Sequence, residues 1–355
     1  MSKLFEPIKL GDLEIKNRIV RAPFQLSDNL EGGFVQQPKI DMYKTLSENE
    51  IGLIMTGQSA VLPGIGLSDY IDFMYYDLHI AEHKKIVEAA HAGGAKVAVQ
   101  LNHGGAKANK AGLRGMAPLG PSAFVFAEGN SMAREATQEE IHAVADAFAQ
   151  AASKARKAGY DGILIHAAHS YLISEFLNPF YNKRTDEFGG SAENRFRLLG
   201  EIIEKSKAAA GEDFPIFVKF ECNAAADDEA WFKDVIFFTN SCADLGVRLV
   251  EFSGCDYIPR GLKKERTYYI DRVAAIRKEV SVPVSVEGGV RTLAEMEKVL
   301  DAGIDMVGIG RPLVCEPDLI TRLKNGQPEA KCISCSQCFM QFMKDGRYCI
   351  QHKKG

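Results

Sequence analysis

Two histidines and a tyrosine lie within a six-residue stretch, directly after a short apolar run. The run is Gly162–Ile165, and the three polar residues are His166, His169 and Tyr171. Two imidazoles can bind an anionic or carbonyl oxygen as hydrogen-bond donors. A phenol with an ordinary pKa of about 10 is protonated at neutral pH and can donate a proton. The spacing therefore predicts a catalytic centre that binds an oxygen atom and protonates a substrate.

Two other interpretations of these histidines stay open at this stage. Each imidazole can be a buried core side chain whose nitrogens are satisfied within the protein. Alternatively, His166 and His169 can be metal ligands, with Glu175 as the nearest candidate for a third ligand.

Two glycine-rich segments near the C-terminal end are typical of a phosphate site. Gly289 lies in Val286–Val290, and Gly310 and Arg311 lie in Val307–Leu313. Glycines let backbone N–H groups approach an anion closely, and an arginine can pair with it. The alternative is that these glycines only form tight turns.

A lysine and two glutamines also occur at or near the ends of apolar runs. Lys219 lies inside Phe217–Phe220, where a buried ammonium is costly unless it serves an anion or an electron-rich ring. It can also form a Schiff base or extend to solvent. Gln25 and Gln100 can pair with the donor–acceptor edge of a heterocycle. Together with the phosphate site, these residues predict a bound mononucleotide.

Eight short apolar runs alternate with amphipathic segments along the chain, and each run is typical of a buried parallel strand. The clearest amphipathic segment is Thr137–Lys157, which begins with the capping box of Thr137 and Glu140. The predicted strands are Arg18–Ala22, Gly52–Thr56, Lys96–Leu101, Gly162–His166, Ile216–Phe220, Leu249–Ser253, Val284–Glu287 and Met306–Gly310.

This alternation predicts an α/β fold, a (β/α)₈ TIM barrel, with a doubly wound sheet as the alternative. The barrel is favoured because the unusual residues fall at the C-terminal ends of the strands, where a barrel has its active site. Two long insertions, residues 106–134 and 172–192, are expected to be lids or binding loops.

Composition and charge exclude several functional classes. The formal net charge of −4 gives no indication of a nucleic-acid or membrane partner. The N-terminus lacks the apolar core of a signal peptide, and no apolar run approaches the roughly 20 residues that span a bilayer. A cytoplasmic protein is expected, and the oligomeric state, including a homo-oligomer, stays open.

Four of the eight cysteines are concentrated near the C-terminus. Cys332, Cys335 and Cys338 form a CxxCxxC motif, and Cys349 follows after ten residues. In a cytosolic chain such a cluster favours metal ligation over disulfides. A [4Fe–4S] cluster and a zinc ion both fit the spacing, and thiols without metal are the third alternative. We therefore expect a barrel over residues 1–328 and a cysteine-rich extension over residues 329–355.

The central motif resembles the signature of the Old Yellow Enzyme family. The resemblance is carried by His166–Leu172, Phe176–Pro179 and Asn182–Arg195, and it extends from Phe5-Glu-Pro-Ile8 to about Leu323. Members of this family are barrels that bind FMN and transfer hydride from NAD(P)H through the flavin to an activated C=C bond.

The resemblance implies a role for each candidate residue. His166 and His169 would bind the carbonyl oxygen of an α,β-unsaturated substrate, and Tyr171 would protonate its α-carbon. The residues implied to surround FMN are Pro23, Gln25, Gln58, Gln100, Lys219, Gly289, Gly310 and Arg311.

Three features depart from the family pattern or extend it. Lys219 stands where relatives often have arginine, and Gln25 stands where relatives have residues that tune the flavin potential. The cysteine tail resembles the iron–sulfur motif of trimethylamine dehydrogenase and 2,4-dienoyl-CoA reductase, but we expect no nucleotide-binding half of the kind those proteins have. Two further hypotheses stay open: a non-catalytic flavin and metal electron carrier within a larger complex, and an aldolase-type barrel with Lys219 as the Schiff base.

Overall fold

A closed barrel of eight parallel strands forms the centre of the molecule in the computed structural model. The structure describes residues 2–26, 28–66, 68–109, 112–126, 131–223, 228–254, 266–340 and 348–351. The barrel strands are β1 (Ile19–Arg21), β2 (Leu53–Ala60), β3 (Lys96–Asn102), β4 (Gly162–Ala167), β5 (Ile216–Glu221), β6 (Leu249–Ser253), β7 (Val284–Glu287) and β8 (Met306–Ile309).

Each barrel strand pairs in parallel with its sequence neighbour, and the last strand pairs with the first. Val307 of β8 lies opposite Ile19 of β1, which closes the sheet. The predicted barrel and all eight predicted strands are confirmed, and the doubly wound alternative is wrong because its sheet would have two open edges.

Helices surround the barrel and cover its apolar outer face. Thr137 caps α3 through the predicted capping box with Glu140, and Gly159 ends this helix at a φ of +93°. The helices are α1 (Gln37–Glu48), α2 (Leu78–His91), α3 (Gln138–Ala158), α4 (Leu172–Leu177), α5 (Ala192–Ala210), α6 (Asp228–Asp244), α7 (Ile270–Arg277), α8 (Leu293–Asp301), α9 (Arg311–Cys315), α10 (Leu319–Lys324) and α11 (Gln337–Met340).

An antiparallel hairpin, Ile8–Leu10 with Leu13–Ile15, closes the N-terminal end of the barrel. Its Leu10 and Ile15 pack against Phe217 and the other inward-facing apolar side chains at that end. This end is therefore filled, and polar strand residues can face a ligand only at the opposite, C-terminal mouth.

The long insertions carry secondary structure of their own. Residues 106–134 contain short strands at Leu119–Gly120, Phe124–Phe126 and Ser131–Glu135, which pair with one another. The second insertion begins with α4, which follows Tyr171 directly. A two-residue strand, Asp72–Phe73, pairs with the end of β2.

The C-terminal tail is seated on the barrel where it is described. Ala330 donates a backbone hydrogen bond to Arg291, and the Tyr348 hydroxyl donates to the buried Asp28 carboxylate at 3.0 Å. The boundary after residue 328 stays a prediction. No helix in the described part of the chain is long and apolar enough to cross a membrane.

A buried ion-pair network links α1 to the loops that follow β1 and β2. The Lys39 ammonium lies 2.9 Å from a carboxylate oxygen of Asp28 and 2.9 Å from one of Asp72. Burial disfavours this ammonium, but both carboxylates outweigh that effect and raise the pKa of Lys39. The two buried carboxylates depend on this one cation because they would otherwise repel each other.

We predict that Lys39→Met lowers the free energy of unfolding by about 3–5 kcal/mol, because it leaves buried carboxylates without their cation. Lys44→Met on the same helix is the matched control, since Lys44 and Glu48 form an exposed pair worth less than about 1 kcal/mol. Urea denaturation measures both variants. Equal stability of the two variants would show that the buried network does not stabilise the fold.

Candidate active site

The predicted catalytic residues come together at the barrel mouth. The ring centroids of His166 and His169 are 5.1 Å apart, and those of His166 and Tyr171 are 4.8 Å apart. His166 lies in β4, while Tyr171 is the residue immediately before α4 and is almost fully buried. The end of β4 and the turn that leads to α4 therefore place all three side chains around one space at the barrel mouth.

Both histidines are neutral in this environment. Burial lowers the pKa of each imidazole well below its usual value, and the nearby ammonium groups of Lys219 and Lys107 lower it further. The Nδ1 atom of His166 accepts a hydrogen bond from the Ala168 N–H at 3.3 Å. Its Nε2 therefore carries the proton and is the donor toward the mouth.

The second histidine is held by the neighbouring strand. His169 Nε2 forms a 2.7 Å hydrogen bond with Ser253 Oγ at the end of β6. His169 and Ser170 both have left-handed backbone conformations, with φ values of +62° and +51°. Such conformations cost on the order of 1–3 kcal/mol for residues other than glycine, so surrounding contacts must maintain them.

Glu221, at the end of β5, provides these contacts. Its carboxylate accepts hydrogen bonds from the Ser170 N–H and the Ser174 hydroxyl, both at 3.0 Å, and from the backbone N–H of His169. Burial raises the pKa of Glu221, and these donors partly oppose that effect. The carboxylate thus fixes the turn that carries His169 and Tyr171.

A lysine that the sequence analysis did not identify lies beside the phenol. Lys107 Nζ is 5.5 Å from the centroid of the Tyr171 ring and donates to the His169 carbonyl oxygen at 2.8 Å. An ammonium above a phenol ring favours the deprotonated phenol, and so assists proton donation.

Lys219 of β5 lies opposite His166 of β4 in the sheet register, buried and in contact with two acidic side chains. Its Nζ is 2.5 Å from Glu287 Oε1 and 3.3 Å from Glu251 Oε2. Burial alone would lower the pKa of Lys219, but the two carboxylates outweigh burial and raise it. Burial also raises the pKa of Glu251, and the neighbouring Lys219 ammonium partly opposes that effect.

The predicted amide residues are adjacent but differ in their contacts. Gln25 Oε1 accepts from the Gln58 N–H at 2.9 Å, and Gln25 Nε2 donates to the Leu26 carbonyl at 2.6 Å. Gln58 Oε1 accepts from the Asn102 side chain. Gln100 Oε1, by contrast, is buried with no hydrogen-bond partner among the described residues. A buried acceptor of this kind calls for a donor from a ligand.

The predicted phosphate residues lie together after β7 and β8. Gly289 has a φ of +72°, and a Cβ there would be 2.8 Å from the Thr267 backbone nitrogen, so only glycine fits. A Cβ on Gly310 would meet only Glu287 Oε2 at 4.0 Å, so space remains above it. Arg311 Nη1 donates to Ser336 Oγ at 2.9 Å, and Arg291 donates to Ser334.

These observations fit an FMN molecule. An unsatisfied amide oxygen, a buried ammonium and the space at Gly310, with two arginines nearby, match the isoalloxazine edge and the single phosphate of a mononucleotide. Pro23 lies just after β1 at the same face. The structure thus places the predicted cofactor residues at one mouth, and their roles stay predictions.

The tail cysteines gather around a fifth cysteine that the sequence analysis did not include. Cys332 and Cys349 are buried and pack against Cys315 of α9, Cys338 is also buried, and Cys335 is half-exposed. Burial and, to a lesser degree, the neighbouring thiols raise the pKa of Cys338 to about 12. Within the described residues, no three His, Cys, Asp or Glu side chains are arranged to hold a metal ion. The structure therefore gives no support for the predicted iron–sulfur or zinc site.

Several functional candidates were missed because their partners are distant in sequence. One sequence feature could have identified them, which is an acidic residue in a mostly apolar strand. It applies to Glu221, Glu251 and Glu287. Glu221 is also two residues after Lys219, so the two share the inward face of β5.

Comparison with known proteins agrees with the fold and identifies the family. A model of the NADH:flavin oxidoreductase / NADH oxidase family matches residues 3–330. An NADPH dehydrogenase of Bacillus velezensis is 34% identical over 317 residues, covering 89% of this chain and 92% of that protein. An NADH oxidase of Thermoanaerobacter brockii is 32% identical over 342 residues, covering 94% of this chain and 52% of that protein.

The fold also matches a solved structure over nearly its whole length. The Old Yellow Enzyme homologue from Zymomonas mobilis superimposes with a TM-score of 0.83 at 26% identity, covering 98% of each chain. The tail's likeness to 2,4-dienoyl-CoA reductase stays a prediction. The match over residues 3–330, with the site geometry above, shows that the chain belongs to the NADH:flavin oxidoreductase / NADH oxidase family, the Old Yellow Enzymes, and is an FMN-dependent NAD(P)H oxidoreductase.

Proposed function

We propose that this protein reduces the activated C=C bond of α,β-unsaturated carbonyl compounds, with His166, His169 and Tyr171 as its catalytic residues. The main support for this proposal is the cluster of two neutral imidazoles and a phenol at the barrel mouth. A neutral imidazole donates a hydrogen bond to a carbonyl oxygen without protonating it outright.

The cofactor would be held by residues from several strands. Gln100 and Lys219 suit the heterocyclic edge of FMN, Gly289 and Gly310 provide close backbone approach, and Arg311 suits the phosphate. Pro23, Gln25 and Gln58 complete the predicted surroundings. When bound, FMN supplies the hydride, which it receives from NAD(P)H.

The histidines bind and polarise the substrate in this proposal. The His166 Nε2–H would donate to the carbonyl oxygen, and His169, whose Nε2 is held by Ser253 Oγ, would donate from Nδ1. As the β-carbon accepts hydride, negative charge develops on the carbonyl oxygen, and the two donors stabilise it.

Tyr171 then completes the reduction by protonating the α-carbon. The phenol is protonated at neutral pH, and the Lys107 ammonium near its ring stabilises the charge that remains after proton transfer. Burial of Tyr171 keeps water from competing as the proton donor.

The two competing hypotheses are less consistent with these residues. A pure electron carrier has no use for a buried proton donor with two oxygen-binding imidazoles beside it. A Schiff-base lysine needs a lowered pKa to act as a nucleophile, whereas the carboxylates around Lys219 raise its pKa.

We predict that Tyr171→Phe slows oxidation of the reduced enzyme by an enone by about 10²-fold, because a positioned acid contributes rate enhancement of that order. Reduction by NAD(P)H needs no proton from this residue and should keep its rate. Anaerobic stopped-flow absorbance measures the two half-reactions separately.

Tyr160→Phe is the matched control, since the Tyr160 hydroxyl contacts His83 behind the barrel wall. It should leave both half-reactions unchanged. Equal slowing of both half-reactions in Tyr171→Phe would mean that the substitution disturbs the site rather than removes its acid.

We predict that Glu221→Ala weakens binding of a phenolic ligand, a mimic of the negatively charged oxygen, by about tenfold or more. The loss of a charged hydrogen-bond acceptor costs about 1.5–3 kcal/mol and frees the turn that carries His169. Glu221→Gln should recover part of the affinity, because its amide oxygen still accepts one N–H. Absorbance titration measures the affinity, and wild-type affinity in Glu221→Ala would refute the positioning role.

Metal binding by Cys332, Cys335, Cys338 and Cys349 stays a prediction of their spacing. Anaerobically purified protein should contain about four iron atoms with sulfide, or about one zinc ion, per chain. Cys335→Ala should lose that metal and retain FMN, because the mouth residues come from other segments. Elemental analysis that finds neither metal in the wild type would show that the cysteines are metal-free thiols.

A further inference from the structure

The buried ammonium of Lys219 is neutralised from within the protein. The carboxylate nearest to Lys219 Nζ is that of Glu287, whose Oε1 lies 2.5 Å away. Glu251 lies farther from the ammonium, at 3.3 Å, and burial raises its pKa, with Glu287 adding to that effect. Glu287 is therefore the closer counter-charge, and its ion pair with Lys219 is close to neutral.

This pair lies at the floor of the predicted flavin site. Lys219 of β5 lies opposite His166 of β4 in the sheet register. Glu287 Oε2 lies 4.0 Å from the point where a Cβ on Gly310 would be. Reduction of a flavin adds electrons to its ring system, and a cation beside the ring stabilises the reduced form. A carboxylate on that cation therefore opposes the stabilisation.

We propose that Glu287 sets the reduction potential of the bound flavin by neutralising Lys219, and so holds the potential lower than an unpaired lysine would. Glu287 is thus a positioning residue that acts through Lys219. The inference rests on the proposed FMN site and assigns a role to a residue next to that site.

The test is the midpoint potential of the FMN-loaded protein at pH 7, measured by equilibration with a reference dye. Glu287→Gln keeps the shape of the side chain and removes its charge. The potential should rise by about 30 mV or more, which is on the order of tenfold in a two-electron equilibrium.

Glu251 needs its own variants because it can ionise when Glu287 is replaced. Glu251→Gln alone should raise the potential less than Glu287→Gln does, since Glu251 lies farther from the Lys219 ammonium. The double variant, with both glutamates changed to glutamine, should show the largest rise. If the double variant does not fold, the potential of Glu287→Gln against that of the wild type at about pH 5.5, where Glu251 ionises less, takes its place.

Glu14→Gln is the matched control for net charge, since Glu14 is exposed on the N-terminal hairpin at the closed end of the barrel. Its potential should equal that of the wild type. A wild-type potential in Glu287→Gln and in the double variant would overturn the inference. Failure of the wild type to bind FMN at all would instead overturn the proposed site, so the two failures are distinguishable.

Discussion

Closure of the parallel sheet is the constraint on which the rest of the structure depends. Once β8 pairs with β1, all eight strands end at the same face. The N-terminal hairpin fills the other end with apolar side chains. An inward-facing polar residue near the C-terminal end of any barrel strand therefore faces the mouth, so residues far apart in sequence meet there.

Burial at that mouth determines the charge of each functional group. It keeps His166 and His169 neutral, whereas the ammonium of Lys219 stays charged because Glu287 contacts it directly. The mouth thus offers uncharged hydrogen-bond donors next to a buried ion pair. Neutral donors suit a reaction in which negative charge develops on a substrate oxygen near the histidines.

The features that local sequence pattern determines were predicted correctly. Each of these features depends on residues within one short segment. They are the eight apolar runs, the Thr137 capping box and the cluster of His166, His169 and Tyr171. The small sheet within residues 106–134 was not foreseen, because its two- to five-residue strands are too short to show a periodic pattern.

Residues whose roles depend on partners from other strands were missed. Nothing near Glu221 in the sequence shows that it holds the backbone of Ser170, 51 positions away. Likewise, Lys219 was recognised as a buried cation, but Glu287, 68 positions away, was not recognised as its partner. The position of Cys315 beside the tail thiols follows from the seating of the tail on α9, which spacing alone does not reveal.

The central claim is that the polar mouth of this barrel is an FMN site. The most direct measurement is the chromatographic identity and amount of the cofactor that purified protein releases on heat denaturation. The account predicts FMN, with about one molecule per folded chain and no FAD. Colourless protein that neither releases FMN nor takes it up from solution would contradict the account.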